Sequence, residues 1–197
     1  MESRVYLSED SWYVQGHLPE TLVKYSSDNF ENLWNLRPPE RTKLVIYGKE
    51  VLTPRFSRNY LTPYKYSGIL HDGDPLPDMF TVFHEWAGGL DKYNQCLINW
   101  YDGSLNHYIA LHSDSEKELE TSHEIMSISI GHERVFRIRD KGNSKWDLPM
   151  KHGSYIIMGG NFQYEFRHEV PKMTLRELKR PPDDKRRINI TMRKMKR

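Results

Sequence analysis

The chain has 197 residues, 37% of them hydrophobic and 28% charged, which suits one domain large enough to bury a core. The single cysteine, Cys96, excludes an internal disulfide framework, and the formal net charge of +2 gives no sign of polyanion binding from bulk charge. No stretch reaches the apolar length of a membrane span and the first ten residues lack the apolar centre of a signal peptide, so the expectation is a soluble intracellular protein, monomeric and without membrane contact.

In chain order, the first third is polar and punctuated by Pro38, Pro39, Pro54 and Pro63. It reads as one short helix over 29–35 among irregular or short β segments. Pro75 and Pro77 precede a helix over about 79–87, with Asp78 placed to cap it. From Cys96 the pattern is β-rich, and Cys96 itself, beside Leu97 and Ile98, reads as a buried core thiol. Residues 125–130 alternate Ile, Met, Ser, Ile, Ser, Ile; Gly131-His132 then turn into a second alternating run over 135–139. Further strands are expected over 154–158, 163–168 and 187–193, separated by Lys141-Gly142-Asn143, Gly159-Gly160-Asn161 and Pro181-Pro182-Asp183-Asp184. Many short strands so spaced argue for a sandwich or barrel, and periodicity does not choose between a jelly roll and an ordinary sandwich. Residues 180–197 are rich in Lys and Arg, which suits either phosphate contact or a solvated end.

Two constellations carry chemistry. In His112-Ser113-Asp114 an extended backbone sends residues i and i+2 to one face, so an imidazole and a carboxylate can reach one metal ion. A distant histidine would complete a facial triad with open positions for oxygen chemistry on Fe(II), and His168 is the candidate. A lone His-x-Asp among nine histidines is weak, and His168 also reads as a hydrogen-bonding residue at a strand end. In the run Arg187-Ile188-Asn189-Ile190-Thr191-Met192-Arg193, the polar residues share one strand face and the apolar residues the other. Two guanidiniums lining a cavity need anionic partners, which a dicarboxylate supplies; the same run also reads as an exposed basic strand.

The order His-x-Asp, distal His, then Arg-x-Asn-x-Thr-x-Arg resembles the AlkB family, particularly its animal DNA- and RNA-repair members, over most of the chain. Other blocks share the likeness: Asn99-Trp100-Tyr101, Ser127-Ile128-Ser129-Ile130-Gly131 followed by Arg134-Val135-Phe136, and Gly153-Ser154-Tyr155 leading to His168-Glu169-Val170-Pro171. The resemblance implies a mainly β protein with flanking helices, a double-stranded β-helix (jelly roll) with an N-terminal nucleotide-recognition lid. Residues 1–45 would form an extension packing on the core, and 46–197 the dioxygenase domain, with the lid at about 46–72. It further implies that His112, Asp114 and His168 bind Fe(II). Arg187 would pair with the distal carboxylate of 2-oxoglutarate and Arg193 with its other carboxylate end. Asn99, Tyr101 and Asn189 would add hydrogen bonds, and O2 would be the second co-substrate.

At the substrate end the resemblance points to Tyr64 and Tyr66 as base-stacking aromatics, with Lys49, Arg55 and Arg58 as phosphate contacts. Glu116 would meet the base edge, and Tyr47 would stand where a duplex-active relative has a base-wedging finger. The aromatics also read as lid packing, and Glu116 as an exposed carboxylate. The implied reaction is oxidative demethylation of N-alkylated bases in DNA or RNA, releasing formaldehyde, succinate and CO2. The alternatives are a 2-oxoglutarate oxygenase acting on protein, lipid or metabolite, and a catalytically silent nucleic-acid-binding module.

Overall fold

A computed structural model of the chain describes residues 3–46, 48–66, 69–114, 117–120, 123–142 and 144–196. The first half runs β1 (Val5–Tyr6), β2 (Ser11–His17), α1 (Glu20–Asp28), α2 (Phe30–Asn35), β3 (Lys43–Ile46), β4 (Lys49–Leu52), β5 (Phe56–Tyr60), β6 (Tyr64–Tyr66), β7 (Ile69–His71), α3 (Asp78–Trp86) and α4 (Gly89–Lys92). The second half runs β8 (Gln95–Asp102), β9 (Ile109–His112), β10 (Ile125–Gly131), β11 (Arg134–Arg139), β12 (Lys145–Met150), β13 (Ser154–Gly160), α5 (Phe162–Glu165), β14 (Arg167–Val170), α6 (Leu175–Leu178) and β15 (Arg186–Arg193).

Two sheets face each other. The larger has the order β1-β2-β13-β10-β15-β8-β5 and the smaller β12-β11-β14-β9, while β3-β4 and β6-β7 form separate hairpins. The adjacent strands pair antiparallel throughout the larger sheet. This is a jelly roll with helices on one outer face, as the resemblance implied.

The alternation of β10 and β15 explains the layering. Met126, Ile128, Ile130, Ile188, Ile190 and Met192 point outward into a core with Leu33 and Trp34 of α2 and Phe80 and Phe83 of α3. Trp100 Nε1 donates to Leu33 O at 3.0 Å, tying the helical layer to the sheet. The opposite faces of the same strands carry Ser127, Ser129, Arg187, Asn189, Thr191 and Arg193, all buried between the sheets. Burying that much polarity is costly unless the groups are mutually paired or hold a ligand. Gly131 ends β10 at φ 92°, where a Cβ would lie 2.5 Å from Arg186 O, so the turn into β11 requires glycine.

Several expectations need correction. Residues 163–168 are not a strand: α5 forms first, and β14 begins only at Arg167. The reason is that Phe162 and Phe166, four apart, both insert into the inter-sheet core, a spacing that suits a helical turn. Asp78 is the first residue of α3 rather than its cap; Pro77 holds the cap position without a side-chain hydrogen bond. The polar N-terminal third holds an additional helix, α1, immediately before α2. Within residues 1–45, β2 pairs with β13 along its whole length and extends the larger sheet.

Candidate metal and co-substrate site

Strand pairing brings the candidate ligands together. In β14 and β9, His168 lies directly opposite His112, and their rings sit 4.3 Å apart. Asp114, two residues past His112, turns its carboxylate to the same point, with His112 Nε2 3.9 Å from Asp114 Oδ1. One ligand atom from each of the three lies within 4.8 Å of the others. His112 Nδ1 stands 2.8 Å from Ala110 O, which leaves Nε2 as the unprotonated nitrogen facing the carboxylate. Phe136 of β11 stacks on the His168 ring at 5.0 Å, and Gln163 Oε1 accepts from the Asp114 backbone N at 2.9 Å. These last two contacts were not foreseen; they depend on packing between residues far apart in the chain.

The protonation states suit a divalent cation. Burial by itself would raise the Asp114 carboxyl, but the Arg193 guanidinium and the two imidazoles bring it down to about 2. Burial holds His168 down at about 3, with the neighbouring His112 acting in the same direction. At neutral pH the set is therefore one carboxylate and neutral imidazoles, the forms that ligate metal. Two nitrogens and one oxygen on one side of a point fit Fe(II) with open positions.

The same cavity, about 520 Å³, continues to β15 and β8 and is lined by Arg187, Asn189, Thr191, Arg193, Asn99 and Tyr101. Register explains the grouping: Arg187 pairs with Tyr101, Asn189 with Asn99 and with Ser129, and Arg193 with Gln95. Arg187 is 1% exposed, its Nε donates to Ser129 Oγ at 2.8 Å, and its carbon Cζ lies 5.3 Å from the Tyr101 ring centre. Its Nη1 is buried with no hydrogen-bond partner among the described residues. Burial pulls its pKa down to about 10, so it remains a cation at neutral pH, and an anion entering the cavity would complete its bonding. Asn189 Nδ2 donates to Ser127 Oγ at 2.6 Å. Ser127 and Ser129 were legible as the polar alternates of β10, yet nothing in their own segment marked them as neighbours of Arg187 and Asn189.

Arg193 engages two groups of the chain itself. Its Nη2 donates to Asp114 Oδ2 at 3.0 Å and its Nη1 to Gln95 Oε1 at 3.1 Å, so its fork first orients a metal ligand. Tyr64, expected in base stacking, is 1% exposed with its ring 4.9 Å from the Arg193 guanidinium, inside the cavity wall. Arg55, expected at a phosphate, is 7% exposed and turned inward, with Nε donating to Asn99 Oδ1 at 2.9 Å. Ser57 Oγ donates to the same oxygen at 2.7 Å. Arg58 is on the surface, paired with Asp74 at 2.7 Å. Tyr47 and Glu116 lie outside the described residues, and Tyr66 is described only as part of β6. Cys96 is buried, and that burial pushes its thiol up to about 12.

A jelly roll with two imidazoles and a carboxylate at one end of its cavity and a buried arginine deeper inside is laid out as a metal-dependent oxygenase that takes an acidic co-substrate. The chain belongs to the 2OG-Fe(II) oxygenase superfamily, whose profile matches residues 44–193, and is an AlkB-type member of it. It is 29% identical over 218 residues to the DNA oxidative demethylase ALKBH2 of Arabidopsis thaliana, a match covering 93% of this chain and 66% of that protein. It is 30% identical over 146 residues to the alpha-ketoglutarate-dependent dioxygenase alkB homolog 3 of Rattus norvegicus, covering 66% of this chain and 46% of that one. The chain thus spans about half to two thirds of the length of these relatives. Its fold matches the solved structure of OsALKBH1 with a TM-score of 0.61 at 15% identity, covering 98% of this chain and 100% of the other.

Proposed function

We propose that this chain catalyses Fe(II)- and 2-oxoglutarate-dependent oxidative demethylation of N-alkylated bases in DNA or RNA. The observation that carries the reading is that the His112, Asp114 and His168 cluster and the buried Arg187 open on one cavity. With iron, O2 and 2-oxoglutarate bound, such a site supplies hydroxylation of a C–H bond, coupled to conversion of 2-oxoglutarate to succinate and CO2. A methyl group on a ring nitrogen, once hydroxylated, leaves as formaldehyde.

In this reading His112, Asp114 and His168 hold the metal, and Phe136 and Ala110 fix the two imidazoles. Arg187, with Tyr101 beside it, takes the distal carboxylate. Asn99 and Asn189 are held in place by Arg55, Ser57 and Ser127 and present polar atoms to the middle of the co-substrate. Arg193 orients Asp114 and acts on the near carboxylate through the same guanidinium. The nucleic-acid substrate is supported by the likeness to the DNA oxidative demethylase ALKBH2 and by the resemblance at Tyr47, Tyr66 and Glu116. Tyr64 and Arg55, being turned inward, act on the site's interior; phosphate contact falls to Lys49, which is exposed on β4.

The test is incubation of the purified chain with Fe(II), ascorbate and 2-oxoglutarate on oligonucleotides carrying 1-methyladenine or 3-methylcytosine, single- and double-stranded, read by mass analysis. Loss of one methyl group per succinate formed is expected. Succinate formation with every oligonucleotide unchanged would instead assign the chain to oxygenases of protein, lipid or metabolite. Absence of succinate under all conditions, with binding to nucleic acid, would make it a silent module.

A further inference from the structure

The cavity that holds the metal and co-substrate residues is also lined by two pieces of chain to which no role has yet been given. One is the β3-β4 hairpin, which contributes Leu44, Val51 and Leu52; Val51 and Leu52 are 44% and 43% exposed. The other is the run from Tyr108 to Leu111 that leads into His112. Alternate residues of an extended run share a face, so Tyr108, Ala110 and His112 form one row. Ala110 is exposed, and its small side chain leaves the space between the Tyr108 ring and the metal ligand open.

Tyr108 is half-buried, and its backbone N donates to Pro54 O at 2.9 Å, which fixes it against the segment joining the hairpin to β5. The Lys172 ammonium stands 4.8 Å from the centre of its ring. Lys172 is exposed, lies outside the cavity and makes no ion pair among the described residues. An aromatic face on the cavity wall, with an unpaired cation beside it and an apolar hairpin nearby, suits a ligand that is flat and apolar at one end and anionic at the other. A nucleotide has that form: its base can stack on the ring and its phosphate can meet the ammonium. Four residues of extended chain put Tyr108 on the order of 10 Å from His112. It therefore stands beyond a base whose methyl group lies at the metal, and meets the next nucleotide.

We propose that Tyr108 and Lys172 form a subsite for the nucleotide flanking the target, Tyr108 stacking on its base and Lys172 pairing with the phosphate beside it. Stacking needs a free base face, which a single strand offers and a duplex does not, so the subsite favours single-stranded substrate. This rests on the reading of the chain as a nucleic-acid demethylase. The competing role is packing, in which Tyr108 only closes the cavity wall and Lys172 only covers its ring.

The two roles separate in binding of a labelled single-stranded DNA oligonucleotide carrying one 1-methyladenine, read by fluorescence anisotropy on the chain loaded with Mn(II) and 2-oxoglutarate. Tyr108→Leu keeps apolar bulk and loses the ring. Its Kd for the oligonucleotide should rise about five- to a hundredfold, the worth of one stacked base, while Tyr108→Phe stays within about threefold. Its Kd for 2-oxoglutarate should stay within about twofold of the parent's, as packing alone would not allow. Lys172→Gln should reduce the slope of log Kd against log salt by about 0.7, one phosphate contact on a single strand. Weaker binding of oligonucleotide and 2-oxoglutarate together in the Leu protein, with a lowered melting temperature, assigns packing and overturns the proposal, as does unchanged oligonucleotide binding. An unchanged salt slope in Lys172→Gln, at an exposed position, overturns it also, whether or not the Leu protein folds. If the unsubstituted chain neither binds nor demethylates the oligonucleotide, the functional reading falls and this proposal with it; if it demethylates and the variants bind as the parent does, the functional reading stands and only the subsite falls.

Discussion

Removing Arg193 tests whether the metal site is built on a buried ion pair. Arg193 Nη2 and Asp114 Oδ2 are 3.0 Å apart with side chains only 4% and 5% exposed. Arg193→Met keeps an apolar stem of similar length and deletes the charge, leaving Asp114 buried beside two neutral imidazoles. Breaking a buried pair from one side costs about 3–5 kcal/mol, because the remaining charge has lost both water and partner. Against a total stability of roughly 5–15 kcal/mol for a domain, this is a large shift. Asp114→Asn leaves the opposite charge stranded and should cost a comparable amount. The double variant strands neither, so its loss should fall short of the sum of the singles by at least about 1.5 kcal/mol. The assay is urea unfolding of the four proteins in EDTA, with the midpoint read at constant slope. The metal must be absent, since a bound divalent cation would substitute for the missing guanidinium. Single-variant losses that add to within about 0.5 kcal/mol would refute the coupling and return Arg193 to a role on the co-substrate alone.

Three further outcomes are expected. Arg187→Met should raise the 2-oxoglutarate Kd of the Mn(II)-loaded chain about ten- to a hundredfold, the loss of charge-assisted hydrogen bonds worth about 1.5–3 kcal/mol; calorimetric titration measures it, and an unchanged Kd removes Arg187 from the carboxylate site. His168, held at about 3 when folded against an ordinary 6.5, binds a proton more readily in the unfolded chain. The metal-free protein should then lose stability as pH falls from about 6.5 toward 3, and His168→Gln should flatten that slope in denaturant titrations at successive pH values. Tyr66→Ala should weaken demethylation of a methylated oligonucleotide about five- to a hundredfold, as loss of a stacking ring predicts, and spare succinate formation without oligonucleotide; equal loss of both, with a lowered melting temperature, would assign the ring to packing.

Local order decided much of this protein. The period of two in 125–130 and 187–193 fixes which residues face the helical layer and which face the cavity, since neighbouring side chains on a strand point to opposite faces. The spacing in His112-Ser113-Asp114 likewise puts two ligands on one side without reference to any other strand. The order of the motifs then carried the fold, through a resemblance rather than through periodicity. Tertiary structure decided what those faces meet. Only the pairing of β14 with β9 sets His168 opposite His112, and only the pairing of β15 with β8 sets Arg187 opposite Tyr101. It also turned Tyr64 and Arg55 inward and gave Arg193 the Asp114 carboxylate as its partner. Residues 163–168 show the limit of local reading: a helical turn and a strand compete for the same short run of alternating polar and aromatic residues, and the burial of Phe162 and Phe166 in one core favours the turn. Periodicity is a property of a segment, whereas a partner for a buried charge is set by whichever distant strand folds against it.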